Sequence, residues 1–262
     1  MAYETLIVEL DGPLAVVRFN RPENYNALNE PMARDLLAAA LDLGRDERVR
    51  AVLFTGEGKA FHAGGDVKRF AAEGKSAPVF IDNLVTVFHA AMSRIVRLPK
   101  PTVAAVNGVA AGAGFSLALS CDLVLAHPNA VFTASYSRIG ASPDGGMSYH
   151  LVRQAGLRRA MELYLTNRIL TAQEAMEWGV VNRVLPAEGF LAEARKHAME
   201  LAQGPTLAFV RAKELFQDSL QNGMETQLER EAVRIVASAA TEDFQNGVKA
   251  FVEKKAPTFK GK

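Results

Sequence analysis

Asn107-Gly108-Val109-Ala110-Ala111-Gly112-Ala113-Gly114 follows the apolar run Thr102–Val106 and leads into small residues up to about Ser120. A short apolar run that ends at glycine reads as a buried strand, and the small residues beyond it read as a buried helix. A second junction of this kind lies upstream. There the strand Val49–Thr55 runs into Gly56–Asp66, glycine-rich and without period, and the chain continues Phe61-His62-Ala63-Gly64-Gly65-Asp66-Val67-Lys68. Each junction can present an unpaired backbone N–H at a helix start, where the dipole also favours negative charge. Two such donors converging on one point would make an oxyanion hole.

Outward from these junctions, Thr5–Leu10 and Leu14–Phe19 alternate around Asp11-Gly12-Pro13 and read as a β-hairpin. Asn29 can cap a helix from Glu30 to about Leu43, and Val79 to Val96 reads as an amphipathic helix stopped by Pro99 and Pro101. Leu123–Ala126 and Val180–Val184 read as further strands, and Phe132–Gly146 as a turn-rich segment. Helices are expected over Ser148–Ala155, Leu157–Leu165, Thr171–Trp178, Phe190–Gln203 and Pro205 to about Val252. Strands mixed with helices, then a purely helical tail, indicate an α/β core with a helical appendage.

At 262 residues the chain fits one such domain with an appendage. Hydrophobic residues at 49% and charged residues at 23% exclude disorder and collagen. Thirty Lys+Arg against 29 Asp+Glu leave a formal charge of +1, which gives no pull toward nucleic acid or an anionic membrane. The uncharged stretch from Pro101 to Cys121 has the length of a membrane span but is built from Ala, Gly, Ser and Asn107, which suits a strand, a loop and a buried helix better. Cys121 is the one cysteine, and no secretory signal is visible at the N-terminus; a cytoplasmic location is expected.

Two motifs fail on their details. Gly112-Ala113-Gly114 suggests a dinucleotide loop, but Leu117 stands where the third glycine belongs and no acidic residue follows at ribose distance. Gly114-Phe115-Ser116-Leu117-Ala118 resembles a nucleophile elbow with Asp144 and His150 or His197 downstream, yet Ser116 lies well past the strand end where an elbow holds its serine. His62, His89, His127, His150 and His197 show no metal-ligand spacing; His89 alone stays of interest, on the helix leading toward the glycine loop.

Taken together, Asn20-Arg21-Pro22-Glu23, Asn26-Ala27-Leu28, Phe61–Lys68, Pro99-Lys100-Pro101, Asn107–Gly114 and Ala172–Val184 resemble the enoyl-CoA hydratase/isomerase (crotonase) superfamily over essentially the whole chain. The resemblance implies an α/β crotonase-type spiral of ββα units over residues 1–200, carrying a coenzyme A thioester site. It also implies a C-terminal helical region, 201–262, that packs a homotrimer or a dimer of trimers. The implied substrate is an acyl-CoA, with no cofactor beyond the coenzyme A that the substrate carries and no metal.

By position in that family, the backbone N–H groups of Gly65 and Ala113 hold the thioester carbonyl. The two glutamates of the hydratases fall on Ser116 and Tyr136, so hydration, which needs one group for water and one for the proton, lacks its pair. Asp144, eight residues after Tyr136, stands where isomerases of the family keep an aspartate. One carboxylate suffices there, removing a proton at one carbon and returning it at another. Arg158–Leu163 and Leu165–Arg168 are also similar to 4-chlorobenzoyl-CoA dehalogenase, in which Asp144 would be the nucleophile, His89 the base, and Tyr136 would replace a tryptophan. Coenzyme A contacts are expected from the backbone of Ala63, Gly64, Gly65, Asp66, Val67 and Lys68. Arg21 or Lys68, or Lys255 of a neighbouring tail, would serve the phosphates. The expected reaction is isomerisation of an enoyl-CoA, or of a ring-epoxide or arylacetyl-CoA, with Asp144 as acid/base. Dehalogenation or hydrolysis, hydration, and RNA binding without catalysis are the alternatives.

Overall fold

Alternating side chains explain why the central sheet is covered on both faces. In the computed structural model, which describes residues 3–262, β1 (Leu6–Asp11) and β2 (Leu14–Phe19) form an antiparallel hairpin, turned by Gly12 at φ +54°. Asn29 caps α1 (Glu30–Arg45), its side-chain oxygen accepting from Met32 N–H at 3.0 Å. Three strand pairs follow: β3 (Ala51–Gly56) with β4 (Ala60–His62), β5 (Thr102–Val106) with β6 (Val109–Ala111), and β7 (Leu123–Ala126) with β8 (Val131–Thr133).

The first strand of every pair enters a six-stranded sheet and the second a four-stranded one. The sheet orders are β1-β2-β3-β5-β7-β10 and β4-β6-β8-β9, with β9 at Leu170–Thr171 and β10 at Arg183–Val184. Stepping from pair to pair, both sheets advance in parallel register, which is the spiral of ββα units that the resemblance implies. Helices α2 (Val67–Glu73) and α3 (Ala77–Val96) close the first unit and α4 (Ala113–Ser120) the second.

Ala15, Val17, Phe19, Val52, Phe54 and Ala104 of the larger sheet point into the main core with α1 and α3. Leu14, Val16, Leu53, Val103 and Leu125 point the other way. The chain next makes α5 (Met147–Ala155), α6 (Leu157–Thr166), α7 (Ala172–Glu177) and α8 (Phe190–Ala202), and Phe190, Ala194, Ala198 and Ala202 of α8 cover that second face. Thr171 and Glu174 form a capping box at α7.

Several expectations are corrected. The strand Val180–Val184 shortens to Arg183–Val184, and the aperiodic stretches contain β4, β6 and β8, each only three residues long and too short to show alternation. The segment before Val79 is helical as well, as α2 and a 3-10 turn at Gly74–Ser76. The tail is three helices rather than one run: α9 (Thr206–Ser219), α10 (Met224–Ala239) and α11 (Glu242–Val252). The uncharged stretch Pro101–Cys121 resolves into β5, β6 and α4. Residues 67–96 are apolar enough in composition to cross a bilayer, yet the 3-10 turn divides them, and Phe70, Leu84 and Val85 line a cavity.

Candidate active site

The two glycine junctions meet. A Cβ on Gly64 would sit 2.9 Å from the Ala111 carbonyl oxygen, and one on Gly112 would sit 3.5 Å from Gly64 Cα. Only glycine permits that approach, and Gly64 also takes φ +95° and Gly112 φ +51°. Asparagines stitch the turns beneath. Buried Asn26 donates to the carbonyls of Glu57 and Ala60, and Asn107 both accepts from Gly56 N–H and donates to Gly56 and Gly58 carbonyls.

Opposite bonding of each peptide's carbonyl aims its amide. The Gly64 carbonyl accepts from Leu28 N–H at 2.7 Å, so the N–H of Gly65, trans across the same peptide, points away from Leu28. The Gly112 carbonyl accepts from Ser116 N–H at 2.9 Å along the helix, so Ala113 N–H points out of the α4 N-terminus. Among the described residues neither amide has a protein acceptor. Both residues line one cavity of about 530 Å³, walled by Leu28, Val67, Phe70, Ile81, Leu84, Val85 and Ile139.

Asp144 lines the same cavity, the sole carboxylate among its described lining residues. It sits in Pro143-Asp144-Gly145-Gly146, where Gly145 has φ +60° and a Cβ would lie 2.8 Å from the Phe88 ring. Tyr136 OH donates to Asp144 Oδ1 at 2.6 Å, and Ser116 Oγ donates to the Asp144 carbonyl at 2.9 Å and lies 3.2 Å from Tyr136 OH. Burial, then the adjacent Asp144 charge, holds the Tyr136 phenol above its ordinary range, so it remains a donor. Ser116 and Tyr136 therefore hold the aspartate, one through its carbonyl and the other through its carboxylate.

His89 reaches this turn from α3, and its Nε2 accepts from Gly145 N–H at 3.1 Å. That lone pair is engaged by the backbone, so His89 here holds the turn; as the base of the dehalogenase alternative its Nε2 would have to release this bond. Ser116 has no histidine partner, and its hydroxyl is enclosed by Gly112, Tyr136 and Asp144; the elbow reading ends there.

Of the expected coenzyme A contacts, Ala63, Gly64, Gly65 and Val67 line the cavity, while Asp66 and Lys68 do not. Asp66 instead caps α2 and pairs with Arg21 at 3.1 Å. Arg21 also donates to the Ala27 carbonyl, so its guanidinium is committed to the loop rather than free for a phosphate. Lys255 lies on the exposed tail, paired with Glu253 at 2.9 Å. His62, one of the histidines without metal-ligand spacing, is fully buried beside the first glycine loop.

The enoyl-CoA hydratase/isomerase family model matches residues 9–262. A Rhodobacter capsulatus protein described as a probable enoyl-CoA hydratase is 40% identical over 100% of both chains. The 1,2-epoxyphenylacetyl-CoA isomerase of Escherichia coli is 36% identical over 99% of both. The crystal structure of an enoyl-CoA hydratase from Polaromonas sp. JS666 superposes with a TM-score of 0.93 at 35% identity, covering 97% of this chain and 99% of that one. With its paired glycine loops and nearly its whole length accounted for, the chain belongs to the enoyl-CoA hydratase/isomerase family.

Proposed function

We propose that the protein is an acyl-CoA isomerase. It would move a double bond, or open a strained ring, next to a coenzyme A thioester. The observation that carries this reading is a cavity with two free backbone donors and Asp144 as the sole carboxylate among its described lining residues.

The thioester carbonyl oxygen sits between Gly65 N–H and Ala113 N–H. Asp144 removes the α-proton, and the charge that develops on the carbonyl oxygen meets two preorganised donors. Asp144 then returns the proton at another carbon. Tyr136 holds one oxygen of the carboxylate and leaves the second to carry the proton. Ser116 and His89 hold the turn through the Asp144 carbonyl and the Gly145 amide. The step is proton transfer alone and consumes no cofactor. Lys68, exposed on α2, is the one expected phosphate contact on the core not already engaged by an ion pair.

Relatives of similar identity are described as hydratases and as an isomerase, and the residues at the two glutamate positions favour the second. Enoyl-CoA esters with 2,3- and 3,4-double bonds, incubated in D₂O, should interconvert with deuterium entering the α-carbon. Release of 3-hydroxybutyryl-CoA from crotonyl-CoA as the main product would overturn the assignment in favour of hydration. Label from H₂¹⁸O appearing in Asp144 during a single turnover of a chlorobenzoyl-CoA would overturn it in favour of the dehalogenase reading.

We further propose that α9–α11 pack against copies of the same chain. Only Thr206 and Asp243 of these helices are buried, while Phe216 is 74% and Phe251 86% exposed. An apolar face of that extent calls for a partner. Light scattering after gel filtration should give three or six copies of the 28.3 kDa chain, and a 28.3 kDa particle at micromolar concentration would refute this.

A further inference from the structure

His62 on β4 is completely buried and takes no part in the proton transfer described above. Its neighbours show what it holds. Ala63 N–H donates to the Tyr25 carbonyl at 3.0 Å, Gly64 N–H donates to His62 Nδ1 at 3.1 Å, and Asp66 N–H donates to the Leu28 carbonyl at 3.0 Å. In the run 63–66 only the Gly65 amide is left to the cavity. The freedom of the loop is concentrated at Gly64, whose φ of +95° no side chain enforces. Leu28 N–H grips the peptide after Gly64 through its carbonyl, and His62 grips the peptide before it through its N–H. Rotation about the Gly64 N–Cα bond, which would swing the Gly65 amide, is thereby opposed from both ends.

The ring gives up a bond of its own to do this. With Nδ1 accepting, the proton resides on Nε2, and that nitrogen is buried with no partner among the described residues. An unpaired buried donor is costly and calls for a reason. The ring packs edge-on against Phe19, and Gly114 of the second junction is where a Cβ would strike the His62 carbonyl, so the imidazole stands where the two loops are pressed together. Burial first, and then the Arg21 charge, push the imidazole down to about 3, so the acceptor lone pair persists at working pH.

We propose that His62 is a positioning residue for the oxyanion hole, its Nδ1 fixing the Gly64 peptide so that Gly65 N–H meets the acyl oxygen. This rests on the enolate reading given under Proposed function, and the two can fail separately.

The test compares His62→Asn with His62→Leu. The asparagine oxygen can accept the N–H two residues on, as in an Asx-turn, whereas leucine fills similar space without an acceptor. The readout is the carbonyl stretch of bound butyryl-CoA labelled with ¹³C at the thioester carbon, together with kcat and KM. The native protein should lower the stretch relative to free ligand. His62→Leu should lose most of that shift and about 10²-fold in kcat at little changed KM, the size of effect that a displacement of about 1 Å produces. His62→Asn should recover both. Native shift and kcat in His62→Leu would overturn the positioning role. No shift in the native protein itself would overturn the enolate reading, and this role with it. Should the leucine chain not fold, His62→Gln replaces it, since its amide lies one bond farther out and misplaces the acceptor; native values there overturn the proposal equally.

Discussion

Asp144→Asn should stop deuterium exchange at the α-carbon and lower turnover by about 10²–10⁴-fold, the contribution of a positioned acid/base, while coenzyme A ester binding stays close to native. The asparagine keeps a carbonyl oxygen for Tyr136 OH, now at 2.6 Å from Asp144 Oδ1. The Ser116 and His89 bonds are made to the backbone carbonyl of residue 144 and the amide of Gly145, so neither depends on the side chain changed. The turn therefore survives, and what disappears is the basic oxygen. Exchange measured by mass spectrometry on a saturated acyl-CoA separates this step from any later rearrangement. Exchange at native rate would mean that another group takes the proton, and no other carboxylate lines the cavity among the described residues. A variant that lost binding along with exchange would instead point to Asp144 as a structural member of the turn.

How much of this was legible in the sequence depends on the range of the interaction. The hairpin turn at Gly12, the Asn29 cap and the two strand-to-glycine junctions are set by residues within a few positions of each other, and the structure shows all of them. The strands β4, β6 and β8 were missed because their order comes from pairing with one another, not from three residues of alternation. The role proposed for Asp144 was open to the family resemblance alone, since Pro-Asp-Gly-Gly by composition is a turn. The wiring of Ser116, Tyr136 and Asp144 spans 28 positions and has no local signature. Arg21 misled for the opposite reason. The family resemblance offered its cation to a phosphate by position, but its partner Asp66 lies 45 positions away.

Gly64→Ala should lower kcat by about 10²–10³-fold, as loss of one oxyanion donor does, with a much smaller change in KM. The new Cβ would stand 2.9 Å from the Ala111 carbonyl oxygen, a backbone atom with no rotamer by which to withdraw. It would also face Gly112 Cα at 3.5 Å, so the strain falls on the contact between the two loops rather than on a flexible neighbour. The φ of +95° adds a cost on the order of 1–3 kcal/mol. Relief of either kind moves the Gly65 amide relative to that of Ala113. Interactions felt mainly as charge develops on the carbonyl oxygen appear in kcat, whereas the remote contacts of a coenzyme A ester appear in KM. A control separates strain from function. Gly189→Ala places a Cβ at φ +71° with nothing within 4 Å, at the start of α8 and outside the described lining of the cavity. It should lower the melting temperature while leaving kcat native. If Gly64→Ala did the same, lowering stability alone, the two amides would not be the donors and the glycine contact would serve only packing.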